Sequence, residues 1–252
     1  MLSMEPLIEL EHVDAGYFGA TILKDVSFTV ARGEVFVLLG GSGCGKSTIM
    51  KHMIGLNPVL GGRLVIAGME WTDENRAALC RKIGVMYQSG ALFGSMTCIE
   101  NVMLPLEEFS PLGRRERRER ALQLLEEVEL ADAADKMPGE ISGGMKKRVA
   151  IARAMALSPE VVFLDEPSAG LDPLTSAALD NLILKLKRER AMTFVVVTHE
   201  LPSIFKIADR CAMFDKARRA MIAIGTPAKL RDESNDAFVR RFFNRGEDNV
   251  QF

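Results

Sequence analysis

Gly40-Gly-Ser-Gly-Cys-Gly-Lys-Ser-Thr48 is the stretch from which the rest of this sequence is best read. Gly40, Gly45, Lys46 and Ser47 stand at the diagnostic spacing of a phosphate-binding loop. Glycines let main-chain N–H groups curl around phosphate oxygens, and a helix starting at once aims its positive end at them. A lysine then reaches the outer phosphates, and a hydroxyl ligates a divalent cation. Gly40, Gly41, Ser42, Gly43, Cys44, Gly45, Lys46, Ser47 and Thr48 are all candidates for phosphate binding, with Lys46 also catalytic and Ser47 on the metal side.

Working outward, Val35-Phe-Val-Leu-Leu39 is continuously apolar, the pattern of a strand covered on both faces, and it runs directly into the loop. Upstream, residues 7–14 and Val26–Val30 alternate apolar and polar side chains, which predicts antiparallel strands closed by turns at Ala15-Gly16 and Ala31-Arg-Gly33. Downstream, strands are predicted at Leu64–Ala67 and Ile83–Tyr87. From 88 to 157 the pattern becomes helical, with Leu122, Leu124, Leu125, Val128 and Leu130 at helical spacing. Strand patterns resume at Val161 and Thr193. The mixed-charge run Arg114–Arg120 is expected to be a solvated helix face.

The chain has 252 residues, 48% hydrophobic and 26% charged, enough for one large α/β domain or two fused ones. A formal net charge of -2 provides no basic field for nucleic acid, so no such partner is expected. The apolar runs Val35–Leu39, Val161–Leu164 and Phe194–Val197 fall far short of the roughly 20 residues that span a bilayer. The first ten residues carry acidic groups where a secretory signal would have a basic start, so the chain is expected to stay in the cytoplasm. Cys44, Cys80, Cys98 and Cys211 form no close pair, and reduced thiols are expected.

Two further elements bear on chemistry. Val161-Val-Phe-Leu-Asp-Glu166 ends a buried strand with two carboxylates. Asp165 suits the cation, and Glu166, projecting differently, suits polarisation of an attacking water. Ile141-Ser-Gly-Gly-Met145 opens a second helical run, and alone it would be a capping turn.

Taken in order, the loop, Ser142-Gly143-Gly144 and the Asp165-Glu166 strand resemble the ATPases of the ABC family over the whole chain. That resemblance implies an α/β fold with a RecA-like P-loop NTPase core, an N-terminal antiparallel β subdomain and an inserted helical subdomain. The core would be 1–87 and 158–230, the helical signature subdomain 88–157, and the C-terminal tail 231–252. It implies ATP and Mg²⁺ as cofactors, and it adds Gln88, which senses the metal and the attacking water and begins the loop that touches the membrane subunits. His199 would contact the γ-phosphate, Asp172 would lie at a dimer seam, and Tyr17 would stack on adenine, with the adjacent Phe18 leaving open that either ring packs in the core. Ser142, Gly143 and Gly144 would meet the nucleotide held by a second copy, so the protein is expected to act as a homodimer with a polytopic permease dimer, on the cytoplasmic side of a bacterial inner membrane.

Tyr87-Gln-Ser-Gly-Ala-Leu-Phe93, Ser95-Met96, Glu100-Asn101 and Met145 look like Mla and Mce-type phospholipid transport ATPases. This similarity implies an MCE-domain lipid-binding protein and a STAS-domain subunit as further partners. Ile141 and Met145 depart from the family's common Leu and Gln, which puts in doubt any polar contact from position 145. The segment Phe238–Phe243 also looks like that group, where it packs on the neighbouring ATPase; a helix covering its own core fits equally. Another ABC importer or exporter, and a soluble ABC ATPase of DNA repair or translation, remain the alternatives. Alkylation of Cys44 is expected either to block nucleotide entry or to be prevented by shielding.

Overall fold

The computed structural model describes residues 6–244. In chain order the strands and helices begin β1 (Ile8–Tyr17), β2 (Ala20–Val30), β3 (Val35–Gly40), α1 (Lys46–Met53), β4 (Gly61–Ile66), β5 (Met69–Glu70), α2 (Arg76–Lys82), β6 (Ile83–Met86), α3 (Cys98–Phe109), α4 (Arg114–Glu127) and α5 (Gly143–Ala154). They continue with β7 (Val161–Asp165), α6 (Pro173–Arg190), β8 (Thr193–Val197), α7 (Leu201–Ile207), β9 (Arg210–Asp215), β10 (Ala220–Gly225), α8 (Pro227–Asp232) and α9 (Ala237–Phe243). The described residues form two compact units, 6–70 with 195–244, and Trp71–Phe194.

In the first unit β1 and β2 form an antiparallel hairpin, with Ile8 opposite Val30 and Tyr17 opposite Ala20. β1 also pairs with β4, placing Ile8 opposite Ile66. Val26, Phe28 and Val30 are buried while Ser27 and Thr29 are exposed, the period-2 burial of a strand with one solvated face. The turn expected at Ala15-Gly16 is instead at Phe18-Gly19, where φ is 49° and 81°, the positive pair that tight hairpins require. Gly16 is a glycine for another reason: a Cβ there would sit 2.0 Å from the Ala20 carbonyl oxygen across the narrow hairpin end. Phe18, at the tip, is fully exposed, so it does not pack in the core.

β3 is buried at every residue and pairs in parallel with β9, Val37 opposite Cys211. Continuous burial is what its unbroken apolar sequence called for. At the other end of this unit, Val239, Phe242 and Phe243 of α9 are buried, with the Phe205 and Phe243 rings edge to face at 5.8 Å between centroids. Of the two readings of the tail, the described part fits a helix covering its own core; residues 245–252 lie outside the described residues.

In the second unit β6 and β7 pair in parallel, Ile83 opposite Val161. The stretch expected to be helical holds α3, α4 and α5, and α5 packs against both other helices and against β6. Thr97 and Glu100 form a capping box at the start of α3. Leu124 and Leu125 are buried as their spacing predicts, but Leu122 is 41% exposed and the helix stops at Glu127, before Val128 and Leu130. The Arg114–Arg120 run is a solvated face carrying an Arg115–Glu119 pair one turn apart at 2.8 Å.

Candidate functional site

Each unit carries part of the candidate chemistry. In the first, β3 delivers the chain to the phosphate loop, where Gly41, Ser42, Gly43 and Ser47 are exposed and Gly40, Cys44, Gly45, Lys46 and Thr48 are buried. The Lys46 ammonium, 9% exposed as a residue, donates to the carbonyl oxygens of Gly40 at 2.9 Å and Gly41 at 3.1 Å. Gly45, the N-cap of α1, has φ 104°, and a Cβ there would lie 2.7 Å from Leu23. Among the described residues no side chain caps this helix, and its first turn holds no acidic group. The local donor set of N–H groups, an ammonium and hydroxyls fits a polyphosphate.

The far end of α1 has work of its own. The buried His52 accepts at Nε2 from the Gly16 N–H at 3.0 Å, and its Nδ1 donates to the Asn57 carbonyl oxygen at 3.0 Å. Two main-chain partners thus set one neutral tautomer. Burial pulls its pKa below the ordinary histidine value. Lys51 lies over the half-buried Tyr17 ring, 5.5 Å from its centroid. No motif in the sequence pointed to His52. His199 follows β8 in the same unit and is exposed; its Nε2 is 3.5 Å from Glu200 Oε1. The neighbouring Thr198 N–H donates to the Leu38 carbonyl at 3.4 Å, beside the strand that leads to Gly40. Cys44 is shielded: it is 2% exposed, and burial pushes its thiol pKa up.

In the second unit Asp165 ends β7 and Glu166 follows with φ 47°, a left-handed conformation. The Glu166 carbonyl accepts from Lys147 Nζ at 3.2 Å and from the Ala169 N–H at 3.2 Å. Lys147 also donates to the carbonyl of Gln88, an exposed residue just beyond β6. Burial lowers the Lys147 pKa, against the opposing pull of Asp165 and Glu166. Arg153, further along α5, donates to the carbonyls of Gly90 and Ala91, each at 2.8 Å. No residue pattern signals these contacts, since their acceptors are main-chain groups.

Ser142 is the N-cap of α5, accepting at Oγ from the Met145 N–H at 3.3 Å. Gly144 is tightly packed, since a Cβ would come within 2.3 Å of Thr175 Cγ2, whereas Gly143 has ordinary clearance. Asp172 caps α6: its Oδ1 accepts from the Leu174 and Thr175 N–H groups at 3.0 Å each, and its Oδ2 from the Thr175 hydroxyl at 2.5 Å. That hydroxyl bond holds the Asp172 pKa below the usual carboxylate value. Asp172-Pro173 is a helix-start signature that local sequence alone carries. Among the described residues no three His, Cys, Asp or Glu side chains cluster as a metal site. Ser47 in the first unit, and Gln88 and Asp165 in the second, are each a hard oxygen donor of the kind that suits Mg²⁺.

Residues 23–169 match the family described as ABC transporter. The chain belongs to that family. Among relatives of this ABC chain, the probable ribonucleotide transport ATP-binding protein mkl of Mycobacterium tuberculosis is 36% identical over 94% of this chain and 66% of its own length. The spermidine/putrescine import ATP-binding protein PotA of Aggregatibacter actinomycetemcomitans is 35% identical over 98% of this chain and 64% of its own. The glycine betaine/proline betaine transport ATP-binding protein ProV of Escherichia coli is 34% identical over 98% of this chain and 60% of its own. The ABC chain thus spans less than two thirds of the length of these relatives.

Among solved structures, a dimeric ATP-binding cassette in a post-hydrolysis state, bound to ADP and Pi, is 30% identical with a TM-score of 0.77, covering 87% of this chain and 98% of that one. A subunit of a Clostridium perfringens ABC transporter complex, cbiO1, is 27% identical with a TM-score of 0.83, over 90% of this chain and 91% of its own. The fold is that of an ABC ATPase cassette, and ATP with Mg²⁺ is the cofactor pair of that family. Among the described residues no helix is long and apolar enough to cross a membrane.

Proposed function

We propose that this chain is the ATP-hydrolysing subunit of a transporter, in which two copies close around ATP, reopen after hydrolysis and thereby drive a permease dimer that carries phospholipid. The observation behind the ATPase assignment is the phosphate loop itself, with Lys46 held at the uncapped start of α1 by the carbonyls of Gly40 and Gly41. In this reading Lys46 and the N–H groups of Gly40–Thr48 hold the outer phosphates, and Tyr17 stacks on the base. Ser47, Gln88 and Asp165 would hold Mg²⁺, which when bound neutralises phosphate charge. Glu166 accepts a proton from the attacking water, and His199 addresses the γ-phosphate. Ser142, Gly143 and Gly144 address the nucleotide of the other copy, and Asp172 stands at the seam. Residues 88–157 serve as the signature subdomain that a permease moves. Glu166→Gln is expected to bind ATP, hydrolyse it at least about a hundredfold more slowly and accumulate as a closed dimer. Near-normal turnover would remove Glu166 from its role.

A permease partner is supported by an apolar groove lined in the second unit by Val85, Tyr87, Phe93, Leu104, Pro105 and Phe109. Phe93 and Phe109 are each about half exposed. Aromatic side chains left in solvent around a groove are what a partner helix would cover. Phe93→Ser with Phe109→Ser is expected to abolish permease co-purification while leaving ATP binding unchanged.

The phospholipid assignment rests on the segment 87–102 and on Met145. It carries with it the MCE-domain and STAS-domain partners and a peripheral position on the cytoplasmic face of the inner membrane. The cargoes for which these relatives are named differ from one another, and they favour one alternative, a transporter of a small polar solute. Isolation of the native complex and identification of bound lipid separates the two. A permease retaining a polar solute and no lipid would overturn the lipid assignment and leave the ATPase assignment standing.

A further inference from the structure

Lys147 is one of three consecutive cations, Lys146-Lys-Arg148, near the start of α5, and it is unlike its neighbours. Lys146 is half-buried, and Arg148 reaches out to the Glu129 carboxylate at 2.9 Å. Lys147 turns inward and is only 6% exposed. An ammonium loses strong hydration on burial, so it persists inside a protein where acceptors replace water. Its acceptors here are the main-chain carbonyl oxygens of Gln88 and Glu166, which lie 59 and 19 residues away in sequence. The carboxylates of Asp165 and Glu166 add a field that favours its charged form.

These bonds join two irregular segments to one helix. Gln88 opens the loop beyond β6, and Glu166 turns the chain beyond β7 with φ 47°. Because the acceptors are carbonyls, the bonds fix where each backbone sits and leave the Gln88 amide and Glu166 carboxylate to other work. Arg153 holds the same loop a second time, at Gly90 and Ala91. The loop 88–91 is thus bound to α5 at both ends, and α5 is bound to the residue proposed to activate water.

We propose that Lys147 is a positioning residue that couples the loop beginning at Gln88 to the backbone of Glu166, so that displacement of the loop reaches the site of water activation. The proposal rests on the reading of Glu166 and Gln88 as hydrolysis residues. It goes further by naming a side chain outside the phosphate loop, the signature and the carboxylate pair.

The test compares full-length Lys147→Met, which keeps length and loses the donors, with Lys147→Gln, which restores N–H donors without charge. Lys147→Met is expected to lower kcat about tenfold, the scale of lost charge-assisted hydrogen bonds, with KM for ATP within about twofold. Lys147→Gln should lie between, about threefold down in kcat. Hydrogen exchange in Lys147→Met should rise in the peptides spanning 88–91 and 166–169 and not in the β1–β2 hairpin. Wild-type kcat in Lys147→Met, or a fall in thermal stability without a change in kcat, overturns the proposal. Where Lys147→Met does not fold, Lys147→Gln decides alone, and wild-type kcat with unchanged exchange at 88–91 overturns it. Glu166→Gln run in parallel separates the layers. An active Glu166→Gln removes the underlying assignment, whereas an inactive Glu166→Gln beside a fully active Lys147→Met removes Lys147 only.

Discussion

The helices α1 and α5 both begin at glycine-rich turns, yet their first turns are built differently. α1 starts behind a left-handed Gly45 with no side-chain cap among the described residues, and Lys46 is folded back on the carbonyls of its own loop. α5 starts behind Ser142, whose hydroxyl already accepts the Met145 N–H, and Gly144 is pressed against Thr175 of α6. The first N-terminus is prepared for an anion within its own chain. The second is closed by local contacts, so any anion it meets competes with or adds to an existing cap. Glycine therefore serves conformation and backbone access in one and helix packing in the other, and a glycine motif does not by itself say which.

The difference can be attacked from its strongest side. Lys46→Ala is expected to weaken ATP binding about a hundredfold, the loss of charge-assisted bonds to phosphate, as measured with a fluorescent nucleotide. An effect below threefold would mean that α1 is not the prepared end. Gly144→Ala should destabilise the protein by about 1–3 kcal/mol through overpacking against Thr175 Cγ2. Adding Thr175→Ser removes that methyl, keeps the hydroxyl that bonds Asp172, and should recover most of the loss in urea unfolding. Recovered stability without recovered ATPase would separate packing from phosphate recognition at the same glycine. Ser142→Ala should cost about 1 kcal/mol of stability, the worth of a helix cap, and leave nucleotide binding by a single copy untouched. Binding lost as in Lys46→Ala would break the contrast.

The smallest effect concerns the other end of α1. Folded His52 holds a pKa below its ordinary value of 6.5, so the unfolded chain binds the proton more readily. Stability is then full above about pH 6.5 and declines as pH falls below it. The unfolding midpoint of the native chain should fall between about pH 7.5 and about pH 5.5 more than that of His52→Asn. Equal slopes would remove His52 as the titrating group.

How much of this was legible in the sequence depends on how local the cause is. β3 and the phosphate loop could be read because an all-apolar strand and a fixed glycine spacing are complete within fourteen residues, 35–48. The hairpin turn lies beyond the expected Ala15-Gly16 because it takes Phe18, a poor resident of positive φ, with Gly19. The candidate residues Gln88, Asp172 and His199 came into view by resemblance. For Asp172 the structure adds a local duty, the cap of α6, that Asp-Pro spelled directly. Lys147 and His52 were out of reach. A lysine in a basic run looks solvated, and what turns Lys147 inward is a carbonyl 59 residues distant. His52 finds its donor 36 residues away. Pairings of that kind depend on which main-chain groups the fold brings past a side chain, and no spacing rule encodes them.

Glu166 has a consequence for anyone engineering this protein. A glutamate at φ 47° occupies a conformation that glycine or asparagine adopts with less strain, a difference of about 1 kcal/mol. Random libraries sorted by heat resistance alone would tend to favour those replacements at position 166, and the survivors would be sturdy and, on the role proposed for its carboxylate, silent. Selection schemes for a hardier version should therefore fix this codon before mutagenesis begins.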